Sequence, residues 1–202
     1  STLLYSQVDK AYKDDILGQT ARFRNAKLSY YKGDFVWAQT QFSVLKASTS
    51  KLIANDALDL SVFILDNLAL DTVTLPMLMY AQSELLIFQN RFDEAFTKMD
   101  SIITIFPKHS LQDDIYFAKA KIFQKQRKYE AAAQVYQQIV DEFPESIRVD
   151  NSLFALGELY ENHLEDKEKA QAFYEKIIFD YSNSTFAVEA RKRYRTLRGD
   201  FQ

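Results

Sequence analysis

Residues 128–146 read KYEAAAQVYQQIVDEFPES. The three alanines, then Tyr136, Ile139 and Val140, fall at helical spacing. Phe143-Pro144 ends the run, because proline disfavours helical geometry in the residue before it. The stretch has no glycine loop for a phosphate, no cysteine and no histidine. It reads as a packing device, and the device recurs.

Aligned on it, RFDEAFTKMDSIITIFPKH (91–109) places Ala95 on Ala132, Met99 on Tyr136, Ile102 on Ile139 and Pro107 on Pro144, at an offset of 37 residues. KEKAQAFYEKIIFDYSNS (167–184) repeats the slots at an offset of 38, with Ala170, Tyr174 and Ile177, and with Ser182 in place of proline. GDFVWAQTQFSVLKAS (33–48) supplies Ala38, Phe42 and Leu45.

Each copy follows a second helical segment: ARFRNAKLSYYKG, MLMYAQSELLIFQN, DIYFAKAKIFQKQ and SLFALGELYENH. A small residue recurs in all four (Ala26, Ser83, Ala120, Gly157), and an aliphatic one two places later (Leu28, Leu85, Ile122, Leu159). Two antiparallel helices approach closely where both present small side chains, with larger neighbours filling the space on either side. The expected facing pairs are Ala26 with Ala38, Ser83 with Ala95, Ala120 with Ala132 and Gly157 with Ala170.

This pattern resembles the tetratricopeptide repeat family, over roughly residues 20 to 182. It departs from the family in two ways. The large apolar site before the small residue is kept only by Leu156, with Asn25, Gln82 and Lys119 elsewhere, and the periods of 37 and 38 exceed the usual 34 or so. The long periods and the Phe-Pro linkers also look like the tetratricopeptide lipoproteins and scaffolds of Gram-negative, Bacteroidetes-like cell envelopes.

The resemblance implies an all-α fold, a right-handed α-α superhelix of about four helix pairs with an extra unpaired helix and terminal helices. The expected order in a single array over 1–202 is a helix from a truncated repeat (1–14), a pair (16–48), the extra helix (50–69), pairs at 73–107, 110–144 and 147–182, and a capping helix (183–198). The extra helix fills the 57 residues from Ala38 to Ala95. It reads either as a degenerate repeat or as the source of a bend or pocket. The opening STLLYSQVDKAYKDD lacks the charged start and apolar middle of a signal peptide, so the chain reads as a fragment or mature product that starts inside a helix.

Composition agrees with helices. Among 202 residues there are only 4 glycines and 3 prolines, too little turn chemistry for a strand-rich chain. The net charge of -3 offers nothing to nucleic acid as a whole molecule. The absence of cysteine removes disulfides and thiolate chemistry. No apolar run reaches the ~20 residues of a membrane span. Any membrane tether is expected from sequence outside these residues.

Candidate chemistry is sparse. His109 and His163 sit beside separate turns, so no metal and no cofactor is expected. Asp14-Asp15 and Asp113-Asp114 read as helix-start carboxylates rather than catalytic pairs. The run EARKRYRTLR, with Arg191, Lys192, Arg193, Arg195 and Arg198, reads as a solvated last helix. No catalytic residue is assigned, and an enzyme is not expected.

The resemblance implies instead a concave face lined by the first helix of each pair, suited to a peptide or protein segment. The groove residues expected there are Phe23, Lys27, Tyr30, Tyr31, Tyr80, Glu84, Phe88, Lys121, Gln124, Lys125, Glu158 and Asn162, with Tyr30, Tyr80 and Lys121 as anchors. The expected role is a protein-binding scaffold of the periplasm or the periplasmic side of the outer membrane. The alternative is a structural spacer or self-association domain.

Overall fold

The computed structural model describes residues 2–13, 15–47, 50–69 and 74–200. Asp14, the end of the expected 16–48 pair and most of the expected loop after the extra helix lie outside the described residues. The chain divides into two compact units, Ser1–Leu111 and Gln112–Gln202. Among the described residues there are eleven helices and no strand.

The first unit holds α1 (Thr2–Ala11), α2 (Ile16–Tyr31), α3 (Phe35–Leu45), α4 (Lys51–Ala69), α5 (Leu75–Phe88) and α6 (Phe92–Ile105). α2 pairs with α3, and α5 with α6. α1 lies along α2, held by Arg22, whose Nη2 is 2.7 Å from Asp9. Asp15 caps α2 by accepting from the Leu17 N–H.

α4 is the extra helix, and it shapes this unit. It packs along α3 and also touches α2. Its buried stripe of Ile53, Ala57, Ser61 and Ile64 follows the i, i+4 spacing of a core-facing helix. From it Phe63 enters between two other helices, with ring centroids 6.4 Å from Tyr30 on α2 and 5.2 Å from Tyr80 on α5. Near its end, Asn67 accepts from the Ser110 hydroxyl at 2.9 Å.

The second unit holds α7 (Gln112–Lys125), α8 (Tyr129–Glu142), α9 (Val149–Asn162), α10 (Lys167–Asp180) and α11 (Ala187–Arg198), each packed on the next. α7 pairs with α8 and α9 with α10. α11 stands where the first helix of a further pair would stand. It buries Ala187 and Ala190 and leaves Val188, Arg191, Lys192 and Arg195 exposed.

Each pair turns through one left-handed residue: Gly33 (φ 85°), Asn90 (60°), Arg127 (59°) and Glu165 (54°). The following N–H closes the turn back onto the first helix, as Lys128 does to Phe123 O and Arg91 to Leu86 O, both at 2.9 Å. This is the glycine-favoring C-terminal cap of a helix, here filled twice by long charged residues.

All the repeated small slots are buried. At Gly157 the atoms nearest the missing side chain belong to Tyr174. A β-carbon there would lie 2.4 Å from Cε1 of Tyr174. The small residue makes room for an aromatic ring one turn further along the partner helix.

Candidate interaction face

The first helices of the four pairs, α2, α5, α7 and α9, put their expected groove residues into four slots. Phe23, Tyr80, Phe117 and Phe154 share the first slot. Lys27, Glu84, Lys121 and Glu158 share the second. Tyr30, Ile87, Gln124 and Glu161 share the third, and Tyr31, Phe88, Lys125 and Asn162 the fourth.

The first slot leans on its own hairpin. Phe23 meets Phe42 at 5.7 Å, Phe117 meets Tyr136 at 5.5 Å and Phe154 meets Tyr174 at 5.8 Å between ring centroids. The third slot takes the hydroxyl of the same partner ring in the second unit. Tyr136 donates to Gln124 Oε1 and Tyr174 to Glu161 Oε2, each at 2.7 Å. Burial raises both phenols, with the Glu158 charge adding at Tyr136 and the Glu161 hydrogen bond at Tyr174. Gln124 therefore holds a core tyrosine.

In the first unit the expected anchors Tyr30 and Tyr80, and the expected groove residue Tyr31, are not on a surface. Tyr30 is 0% exposed, Tyr31 8% and Tyr80 5%. These three are core residues, which corrects the sequence reading. The physical reason is α4, whose Phe63 fills the space between α2 and α5 that an uninterrupted repeat would leave open. Burial first, then the neighbouring Glu84 carboxylate, pushes the Tyr30 phenol well up. Phe23, Lys27 and Glu84 are half-buried, with the Lys27 ammonium 5.6 Å from the Tyr31 ring. Phe88 stays outside at 73% exposed.

In the second unit Lys121, Lys125 and Asn162 are exposed and Glu158 is half-exposed. Phe117 has cations on its ring, Lys121 Nζ at 5.6 Å and Arg148 Cζ at 5.2 Å. Glu158 and Glu161 receive Arg193 of α11.

Sequence reasoning missed a set of seam contacts between successive first helices. Ser146 donates to Asp113, and Ser184 donates to Asp150 at 2.6 Å. The same hydroxyls accept the Arg148 and Phe186 N–H groups. Arg148 also pairs with buried Asp114 at 2.6 Å. The recurrence of Asp113 at Asp150 and of Ser146 at Ser184 is the signal that could have found them. His109 occupies the serine slot one repeat earlier, where its Nδ1 accepts from the Leu111 N–H at 3.2 Å. His163 stacks on Tyr129 at 3.9 Å. Neither histidine has a ligand-like setting: among the described residues no three His, Asp or Glu side chains gather to hold a metal ion. No helix among them is long and apolar enough to cross a membrane.

These repeated slots, turns and seams meet a known pattern in the second unit. Residues 114–146 and 151–184 match the tetratricopeptide repeat family. The match covers about a third of the chain and falls on α7–α8 and α9–α10. The described residues form helices and no strand, and the pairs α7–α8 and α9–α10 are of the tetratricopeptide kind. Tetratricopeptide repeats generally mediate protein–protein interaction, typically as non-catalytic scaffolds. No curated protein matches the chain.

Proposed function

We propose that this chain is a non-catalytic scaffold that holds a peptide or protein segment against the first-helix face of its tetratricopeptide pairs, within a larger assembly of the cell envelope on its periplasmic side. The observation that carries the reading is the side-chain set on α7 and α9. Where other slots are spent on the core, Lys121, Lys125 and Asn162 project outward from the family-matched pairs. A stack of helix pairs offers an extended surface without a preorganised reactive centre. Phe88 is the matching exposed aromatic in the first unit.

The test is site-specific photo-crosslinking from position 162 in the native envelope, with position 138 on helix α8 as control. A partner captured at 162 and lost in Lys121→Glu/Lys125→Glu, with unchanged thermal melting, supports the reading. Equal capture at 138, or capture indifferent to the double substitution, overturns it.

A second reading, self-association, has its own observation. Leu58, Val62 and Leu65 form an exposed apolar stripe on α4. Sedimentation that depends on concentration and is abolished by Val62→Glu would favour it over the first.

A further inference from the structure

Arg193 reaches from α11 to α9. Its Nη1 lies 2.9 Å from Glu161 Oε2 and its Nη2 3.0 Å from Glu158 Oε1, while Nε lies 3.2 Å from Glu189 on its own helix. Its guanidinium carbon is 5.6 Å from the centre of the Phe154 ring. Burial works against the cation, yet the Glu161 hydrogen bond and the surrounding carboxylates hold its pKa above the ordinary guanidinium range. Two carboxylates and an aromatic face suit a planar, forked cation better than an ammonium.

The seam does not require this arrangement. One repeat earlier the slots of Glu158, Glu161 and Arg193 hold Lys121, Gln124 and Ala155. That seam is closed by Ser146 on Asp113 and Arg148 on Asp114. The α9–α11 seam has its own equivalents, Ser184 on Asp150 and Phe186 stacked on Phe154 at 4.7 Å. The arginine seat is added to a junction that is already made: the slot of Glu158 faces outward on the preceding pair, at Lys121, and Glu161, like Gln124 before it, also receives a core tyrosine hydroxyl.

We infer that Phe154, Glu158 and Glu161 form an arginine-recognition site for a partner segment, filled in the resting chain by Arg193 as an internal stand-in. The inference rests on the docking face proposed above and adds one element of the partner's chemistry: the segment presents an arginine at this point. Arg193 competes for the same carboxylates, so the incoming arginine pays a penalty set by the fraction of molecules in which Arg193 has swung away.

The test uses the full chain with Arg193→Met, which keeps an apolar stem over Phe154 and removes the charge. N-acetyl-arginine amide is titrated while backbone amide NMR signals are followed. Saturable shifts at Phe154, Glu158 and Glu161 are expected in Arg193→Met, with about tenfold weaker binding in the unsubstituted chain, because its own arginine competes. They should vanish when Glu158→Gln and Glu161→Gln are added, and N-acetyl-citrulline amide should give none. No saturable shift in Arg193→Met, or equal shifts with citrulline, overturns the inference. If Arg193→Met loses its helical circular dichroism, Arg193→Lys takes its place. It should bind the arginine amide more tightly than the unsubstituted chain, and failure to do so overturns the inference equally. A partner captured from position 162 while these titrations stay silent sinks the seat and leaves the docking face standing.

Discussion

Gly157 on α9 has no β-carbon because the ring of Tyr174 on α10 occupies its place: a methyl there would sit 2.4 Å from Cε1. Tyr174 is fully buried and its hydroxyl is fixed by Glu161, so the ring cannot retreat without losing that bond. At this point α9 and α10 meet as a glycine against an aromatic ring.

Gly157→Ala should therefore destabilise the chain although alanine is the better helix former. Overpacking costs about 1–3 kcal/mol, against a propensity gain of about 1 kcal/mol. Urea denaturation should show a net loss of up to about 2 kcal/mol. Adding Tyr174→Leu should turn the alanine from harmful to neutral or favourable, because the ring that collides with it is gone.

Phe63, Tyr30 and Tyr80 form one aromatic column across α2, α4 and α5. Phe63→Ala should cost about 3–5 kcal/mol, the range for emptying a buried aromatic site, and Tyr30→Ala a similar amount. Phe88→Ala, at an exposed position, should stay within about 0.5 kcal/mol. Thermal melting separates the three. A small effect at Tyr30 would return it to the surface.

The left-handed turns at Arg127 and Glu165 carry side chains that resist positive φ. Arg127→Gly and Glu165→Gly should each stabilise by up to about 1 kcal/mol, since a left-handed conformation costs a non-glycine residue roughly 1–2 kcal/mol and glycine's extra freedom in the unfolded chain takes part of that back. Gly33→Ala should do the reverse. It would force a left-handed alanine, and its β-carbon would lie 2.9 Å from Leu78 Cδ1. The midpoints of urea curves decide both signs.

Tyr136 and Tyr174 have phenols raised by burial, so the folded state favours their neutral forms. A folded pKa above the unfolded value of about 10 contributes stability that is complete below that pH and is lost as pH rises toward the folded pKa. The urea midpoint should therefore fall above about pH 10. Tyr136→Phe with Tyr174→Phe should make that fall shallower. Absorbance at 295 nm should show these tyrosines ionising together with unfolding.

What was legible in the sequence was what is local. The slots at 26, 83, 120 and 157, and those at 38, 95, 132 and 170, are each set within one hairpin, so periodicity alone finds them, and all are buried. Tyr30 and Tyr80 escape the sequence reading because Phe63, which packs on both, comes from α4, a helix that follows no repeat spacing. Asp113 and Asp114 were read as serving their own helix start. Their partners, Ser146 and Arg148, stand 33 and 34 residues away, beyond the reach of a helical window but within that of a repeat comparison. Glu158 was placed in the groove by slot, and only the approach of α11 reveals that Arg193 already holds it.

The serine–aspartate ties at 146–113 and 184–150 are common to the two junctions of the second unit. A duplicated block of residues 113–149 would present at its leading edge the carboxylate it left behind, and at its trailing edge the hydroxyl the next helix start expects. Copy number can then change by whole blocks while every border stays chemically complete, so reach is adjustable in steps of one hairpin.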